Sequence, residues 1–373
     1  NIVSNKGLPV PIVAVGKLGY PDLAEKAIAD EMCDMVMLGR PLLADPMWPR
    51  KAYAGQVQEI RPCIGCQEAC INEFVEGGHP SCAVNPRTSH ESTLPEKPLP
   101  APIKKKVAVV GAGPAGFECA MAALDRGHEV HLIDKQEGVG GMVSLAAILA
   151  FKLEVTNYLE WMERTVDQRV KDNPDFQLML NTEATLYMLE DGKYDAIVCA
   201  TGSREKTPGV EGLEKAVFAR ALLLDTSLLD GKEKIVVVGG GTVGCEVALM
   251  LAAEYGRKVT VLEMLPTLMS HVSTANRTHL IHELEKHSVT LINCAKLEKI
   301  EDNSVAVYVN ESPTVPDPYN TWNPVLPENV PNPLAKPIKS EYKMRSIDAD
   351  LVVLAVGHEQ DNTLHRLIKD AYI

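Results

Sequence analysis

The sequence predicts an α/β protein built from parallel β-α-β units, and three observations carry that expectation. A strand, a glycine turn, a helix, a second strand and an acid follow one another twice, over residues 107–134 and again over residues 234–263. A shorter β-α-β pattern opens the chain, and four closely spaced cysteines lie between it and the first repeat. Strands alternating with helices of this length are the mark of parallel sheets.

Residues 11–15 (PIVAV) read as a buried strand, 22–30 as a helix and 34–38 (DMVML) as a second strand that ends in Gly39-Arg40-Pro41. The segment RPCIGCQEACINEFVEGGHPSCAVNPR then sets cysteines at Cys63-x2-Cys66-x3-Cys70-x11-Cys82. Three thiolates within eight residues and a distant fourth suit a [4Fe–4S] cluster, with one thiolate per iron. Structural zinc is the rival reading, although zinc sites usually pair two C-x2-C knuckles and this segment has one. Residues 94–104, LPEKPLPAPIK, hold four prolines in eleven residues and predict an extended, semi-rigid linker.

Residues 107–110 (VAVV) run as a strand into Gly111-Ala-Gly113-Pro-Ala-Gly116, a helix extends to about Arg126, and residues 129–133 form a strand ending at Asp134. This is a Rossmann-like dinucleotide fingerprint. The first glycine permits the tight turn, the second lets backbone approach a pyrophosphate, the third lets helix pack on strand, and the acid accepts from a ribose hydroxyl. The pattern repeats at residues 234–238, Gly239-Gly-Gly241-Thr-Val-Gly244, a helix to about Tyr255, and residues 258–262 ending at Glu263. Two fingerprints imply two dinucleotides. Each unit is followed by a strand that ends in a small-residue turn, Thr201-Gly202 after residues 196–200 and Val356-Gly357 after residues 351–355. Residues 311–339 hold eight prolines and predict a surface excursion inside the second unit, with a disordered or partner-binding loop as the alternative.

Composition narrows the function classes. The 373 residues are 46% hydrophobic, enough for two or three cores, and the formal charge of −13 argues against a nucleic-acid partner. Lys104-Lys105-Lys106 reads as a solvated strand entrance. No run approaches the roughly 18 apolar residues of a membrane span and no signal pattern precedes the first strand, so a cytoplasmic protein is expected. Cys33, Cys119, Cys199, Cys245 and Cys294 sit among apolar neighbours and predict buried reduced thiols. His279 and His282 share a helix pattern and read as exposed surface.

These residues together resemble the multi-cofactor NADH:flavin oxidoreductases, a family that includes 2,4-dienoyl-CoA reductase, 2-enoate reductase, the bile-acid-inducible oxidoreductases and trimethylamine dehydrogenase. The resemblance covers essentially the whole chain. It rests on the cysteine spacing with Asn85-Pro86-Arg87, the proline-rich linker, the pair Gly140-Gly141 and the order of the two fingerprints. It implies an old-yellow-enzyme-like TIM barrel holding FMN, a cluster beside it, and a glutathione-reductase-like module for FAD and the nicotinamide.

On that resemblance, residues 1–60 are the end of the barrel, 61–92 the iron–sulfur segment, 93–105 a linker, 106–230 the first part of the FAD domain, 231–357 the NAD domain, and 358–373 the start of the return to the FAD domain. Gly16, Gly39 and Arg40 match the turns that cradle the FMN phosphate, a place where barrel loops often bind phosphate. Gly111, Gly113, Gly116, Asp134, Gly141, Thr201 and Gly202 fall on the FAD site, and Gly239, Gly241, Gly244 and Glu263 on the NAD site. Electrons would pass from NADH to FAD, through the cluster on Cys63, Cys66, Cys70 and Cys82, to FMN and then to the activated C=C bond of an enoate or acyl-CoA.

Glu263 repels a 2′-phosphate and no arginine follows it, so NADH is expected over NADPH. A whole barrel takes about 250 residues, which makes this chain read as a C-terminal fragment lacking the substrate-side catalytic residues. Alone it is expected to reach no further than NADH-dependent reduction of artificial acceptors. An amine dehydrogenase and a nucleotide-binding fragment without turnover remain alternatives. A disulfide reductase would need a second redox-active cysteine pair near the flavin. Substrate and oligomeric state are left open.

Overall fold

The computed structural model describes residues 10–75, 77–270, 272–322, 326, 330 and 332–372. They fall into two compact units, one within Asn1–Phe74, His79–Gly202 and Asn362–Ile373, the other within Val75–Gly78 and Ser203–Asp361. No helix among the described residues is long and apolar enough to cross a membrane.

In the first unit, β1 (Val13–Val15) and β2 (Met35–Met37) pair in parallel, Val13 opposite Met35, across the helix Pro21–Ala29. Both strands are shorter than their apolar runs. Val13, Val15, Met35 and Met37 are all exposed, because two strands and one helix cannot cover both faces of a sheet. A larger parallel sheet follows. β3 (Lys106–Val110), β4 (Glu129–Ile133), β5 (Phe176–Met179) and β6 (Ala196–Cys199) lie in the order β5-β4-β3-β6.

The two central strands β3 and β4 are mostly buried, as a parallel sheet with helices on each side requires, and the outer β5 and β6 are largely half-buried. On one face the helix Pro114–Asp125 contributes Phe117, Ala120 and Leu124, and the long helix Leu153–Asp172 contributes Tyr158, Trp161, Met162 and Val166 at helical spacing. On the other, Leu364 and Ile368 of the helix Thr363–Tyr372 pack against Ala108, Val110, Ile133 and Leu189. The proline-rich stretch ahead of β3 has neither helix nor strand.

The second unit contains β7 (Ser203–Glu205), β8 (Ala216–Phe218), β9 (Lys234–Val238), β10 (Lys258–Leu262) and β11 (Thr290–Ile292). After these come β12 (Ala295–Ile300), β13 (Ser304–Asn310), β14 (Tyr342–Asp348), β15 (Leu351–Leu354) and β16 (His358–Gln360). A parallel sheet of order β11-β10-β9-β15-β8 is accompanied by an antiparallel sheet β12-β13-β14 and by the pair β16-β7.

The proline-rich excursion connects β13 to β14, and its described residues form neither helix nor strand. It is tied down at several points. Asn310 Nδ2 donates to the Lys339 carbonyl at 2.8 Å, and Tyr319 Oη donates to the Val289 carbonyl at 2.7 Å. The buried Arg277, on the helix Thr274–Lys286, donates to the carbonyls of Leu268, Asn320 and Thr321. His279 and His282 are exposed on that helix. Of the five scattered cysteines, Cys33, Cys245 and Cys294 are buried. Cys119 and Cys199 are only half-buried, a correction to the expected burial of all five.

Candidate functional site

The cysteine segment is irregular backbone held in unusual conformations. Gly65 and Gln67 both have positive φ, at 68° and 62°. A single π-helical turn, Glu68–Asn72, carries Cys70. Such turns often accompany functional sites.

The four thiols lie near enough to act on one another electrostatically. Burial pushes the Cys66 thiol up, the Glu68 amide bonded to it pulls it down, and Cys70, Cys63 and Cys82 push it up again. Burial likewise raises Cys82, against amide donors from Val84 and Asn85. The Gly65 N–H lies 3.5 Å from the Cys63 sulfur. Among the described residues, no three His, Cys, Asp or Glu side chains gather closely enough to hold a single metal ion. The donor set nonetheless fits a cluster: four thiols, amide donors aimed at sulfur, and half-buried surroundings.

The two glycine turns are built alike. Gly111 has φ +106°, and a Cβ there would lie 2.1 Å from the Ala200 carbonyl oxygen; Gly239 has φ +108°, and its Cβ would lie 2.3 Å from that of Ala355. The end of β6 therefore presses on the first turn as the end of β15 presses on the second, which explains the small residues ahead of Thr201-Gly202 and Val356-Gly357. At Gly116 and Gly244 a Cβ would meet the carbonyl oxygens of Gly111 and Gly239 at 1.7 and 1.9 Å. Gly113 and Gly241 differ. Around Gly241 nothing lies within 4 Å, and at Gly113 the nearest atom is the Gly141 Cα at 3.9 Å. The free space at each faces the N-terminus of a twelve-residue helix, whose first N–H groups attract an anion.

The acid at the end of each second strand steadies its turn. Asp134 accepts from the Ala112 N–H at 2.6 Å and from the Gln136 N–H at 2.8 Å. Glu263, 9% exposed, accepts from Gly240 and Leu265, both at 2.7 Å. Gly140 donates to the Ala112 carbonyl at 2.9 Å, which brings Gly141 beside the first turn.

The turns after β1 and β2 hold Gly16, at φ +111°, and Gly39-Arg40. Lys17 forms an ion pair with Glu154 of the long helix. Burial would raise the Glu154 carboxyl, but the Lys17 ammonium bonded to it, with Arg40 nearby, holds it below the usual range.

Sequence reasoning missed Arg61 and Glu118. Arg61 Nη1 lies 2.8 Å from Glu118 Oε1, and its guanidinium stacks over Trp161, 4.7 Å from the ring centroid. Burial pushes the Glu118 carboxyl up, against the pull of Arg61 and Arg87. Neither residue belongs to a spaced motif, and nothing local in the sequence announces the pair.

Two glycine turns of one design, each with a carboxylate closing the next strand, define an oxidoreductase-type fold for two dinucleotides. The family profile described as pyridine nucleotide-disulphide oxidoreductase matches residues 105–371. The chain belongs to that family, within its multi-cofactor flavoprotein branch. It is similar to an NADH oxidase of Thermoanaerobacter brockii, 36% identical over 290 residues that make up 76% of this chain and 44% of that protein. It is similar also to a cinnamate reductase of Clostridium sporogenes, 35% identical over 264 residues, 71% of this chain and 38% of the relative. Among solved structures, a 2-naphthoyl-CoA reductase in complex with 2-naphthoyl-CoA matches with a TM-score of 0.81 at 28% identity, covering 98% of this chain and 50% of that one. The chain spans half or less of the length of these relatives.

Proposed function

We propose that the chain forms the electron-input part of an iron–sulfur flavoprotein oxidoreductase that takes reducing equivalents from NADH and delivers them to an activated C=C bond of the enoate or acyl-CoA type. One observation carries this reading. Four mutually interacting thiols with amide donors lie in the same unit as a dinucleotide turn, in a chain that holds a second such turn. When bound, FAD and a [4Fe–4S] cluster supply the step from a two-electron donor to single electrons.

The protein's part is binding and orientation. Gly113 and Gly241 leave room for a pyrophosphate at a helix N-terminus, with FAD assigned to the first turn and NADH to the second. Asp134 and Glu263 keep carboxylate lone pairs for ribose hydroxyls. Thr201-Gly202 and Gly141 line the first turn, and Cys63, Cys66, Cys70 and Cys82 would hold the cluster. The exposed apolar residues of β1 and β2 suit strands that belong to a larger barrel, with Gly16, Gly39 and Arg40 toward an FMN phosphate. Three thiols within eight residues and a distant fourth suit a cube better than zinc, which usually takes two C-x2-C knuckles. An amine dehydrogenase passing electrons outward shares the architecture, but a complete second turn closed by Glu263 favours NADH as the donor.

Anaerobic reconstitution tests the reading. The protein should take up about four irons and four acid-labile sulfides, Cys82→Ser should lose most of both, and NADH should bleach the flavin absorbance. One tightly bound zinc without labile sulfide would overturn the cluster assignment.

A further inference from the structure

The peptide joining Val84 to Asn85 is bonded on both sides. Its N–H donates to the sulfur of Cys82, as the Val84 N–H also does. Its carbonyl oxygen, that of Val84, accepts from Nη1 of Arg61. Asn85 is 6% exposed and cannot swing away: its Nδ2 donates to the Leu43 carbonyl at 2.8 Å, and its Oδ1 accepts from the Arg87 N–H at 3.1 Å. Arg61 is fixed as firmly. Its own N–H donates to Asp45 Oδ2 at 2.9 Å, its guanidinium stacks on Trp161, and Glu118 supplies the counter-charge.

We propose that Arg61 is a positioning residue that sets the reduction potential of the centre held by Cys82, acting through this one peptide, with Glu118 moderating its charge. The inference rests on the iron–sulfur reading above. A cation on a peptide oxygen polarises the amide and strengthens its N–H as a donor, because hydrogen bonds in a chain reinforce one another. A stronger N–H···S bond favours the state with more negative charge on sulfur, which is the reduced one, and hydrogen bonds to the ligand sulfurs are among the factors that set cluster potentials. Arg61 therefore raises the potential, and Glu118 limits the rise.

The test is a redox titration of the reconstituted chain, followed by the paramagnetic resonance signal of the reduced centre, with iron and sulfide assayed in every sample. Arg61→Met should shift the midpoint to a more negative value at unchanged iron and sulfide. Arg61→Lys, which keeps the charge without the planar fork, should fall between it and the wild type. Glu118→Gln should shift the midpoint the opposite way. Wild-type midpoints in Arg61→Met and Glu118→Gln, at full iron and sulfide, overturn the inference alone. If Arg61→Met fails to load, Glu118→Gln decides by itself, and an unmoved midpoint in that variant overturns the inference. A wild-type chain without labile sulfide overturns the cluster reading and this inference with it.

Discussion

At Glu263 one carboxylate has a structural task and, in the proposed NADH site, a selective one. Its two oxygens satisfy the N–H groups of Gly240 and Leu265 in a place closed to water, and with NADH bound as proposed the same charge would disfavour a phosphate on the adjacent ribose. Two outcomes follow. Glu263→Gln turns an NH2 group toward one of the two donors, and the lost acceptor should lower unfolding stability by about 1–3 kcal/mol, read as a fall in denaturant midpoint. Glu263→Arg should move the ratio of kcat/KM for flavin reduction from NADH toward NADPH. A wild-type protein reduced equally fast by both coenzymes would contradict the role given to the charge. Glu263 was legible because it closes a spaced pattern that any reader can count. Arg61 and Glu118 were not, because an ion pair between residues 57 positions apart arises only once the chain has folded.

Among the elements, the buried parallel strands were the easiest to read, since β3, β9 and β10 are short runs rich in valine and other β-branched residues, each followed by its glycine turn or acid. The pairing of β14 into the antiparallel sheet β12-β13-β14 left no such trace. β14 (YKMRSID) is exposed along most of its length, and its partner lies beyond the proline-rich excursion, so neither periodicity nor a short turn marks the pairing. The glycine turns were legible as motifs, but only the structure separates the glycines the fold needs from those a ligand needs. A Cβ at Gly244 would overlap the Gly239 carbonyl, whereas one at Gly241 meets nothing. Gly244→Ala should therefore lower thermal stability, and Gly241→Ala should leave it within about 0.5 kcal/mol while weakening NADH binding at least tenfold. Equal losses of stability in both variants would mean that Gly241 serves the fold rather than the pyrophosphate.

On the scale of the whole molecule, each of the two compact units carries its own glycine turn, acid and parallel sheet. A ligand that binds one folded unit stabilises that unit by mass action, by about 2.7 kcal/mol at a hundred times its Kd. It slows amide exchange only where exchange requires that unit to open. FAD should therefore protect the amides of residues 106–133, and NADH added to the flavin-free chain should protect those of residues 234–262. The exchange pattern tests the assignment of the two dinucleotides without any turnover, so it stands apart from the identity of the final acceptor. The glycine spacing alone cannot make this distinction, because both turns satisfy the same pattern. It comes from the family resemblance, in which the flavin turn precedes the nicotinamide turn; in the structure the cysteine segment packs on the core of the first unit through Cys63 and Cys82. NADH protection centred on residues 106–133, with FAD protecting 234–262, would reverse the assignment and set the NADH site, rather than the flavin site, beside the thiols.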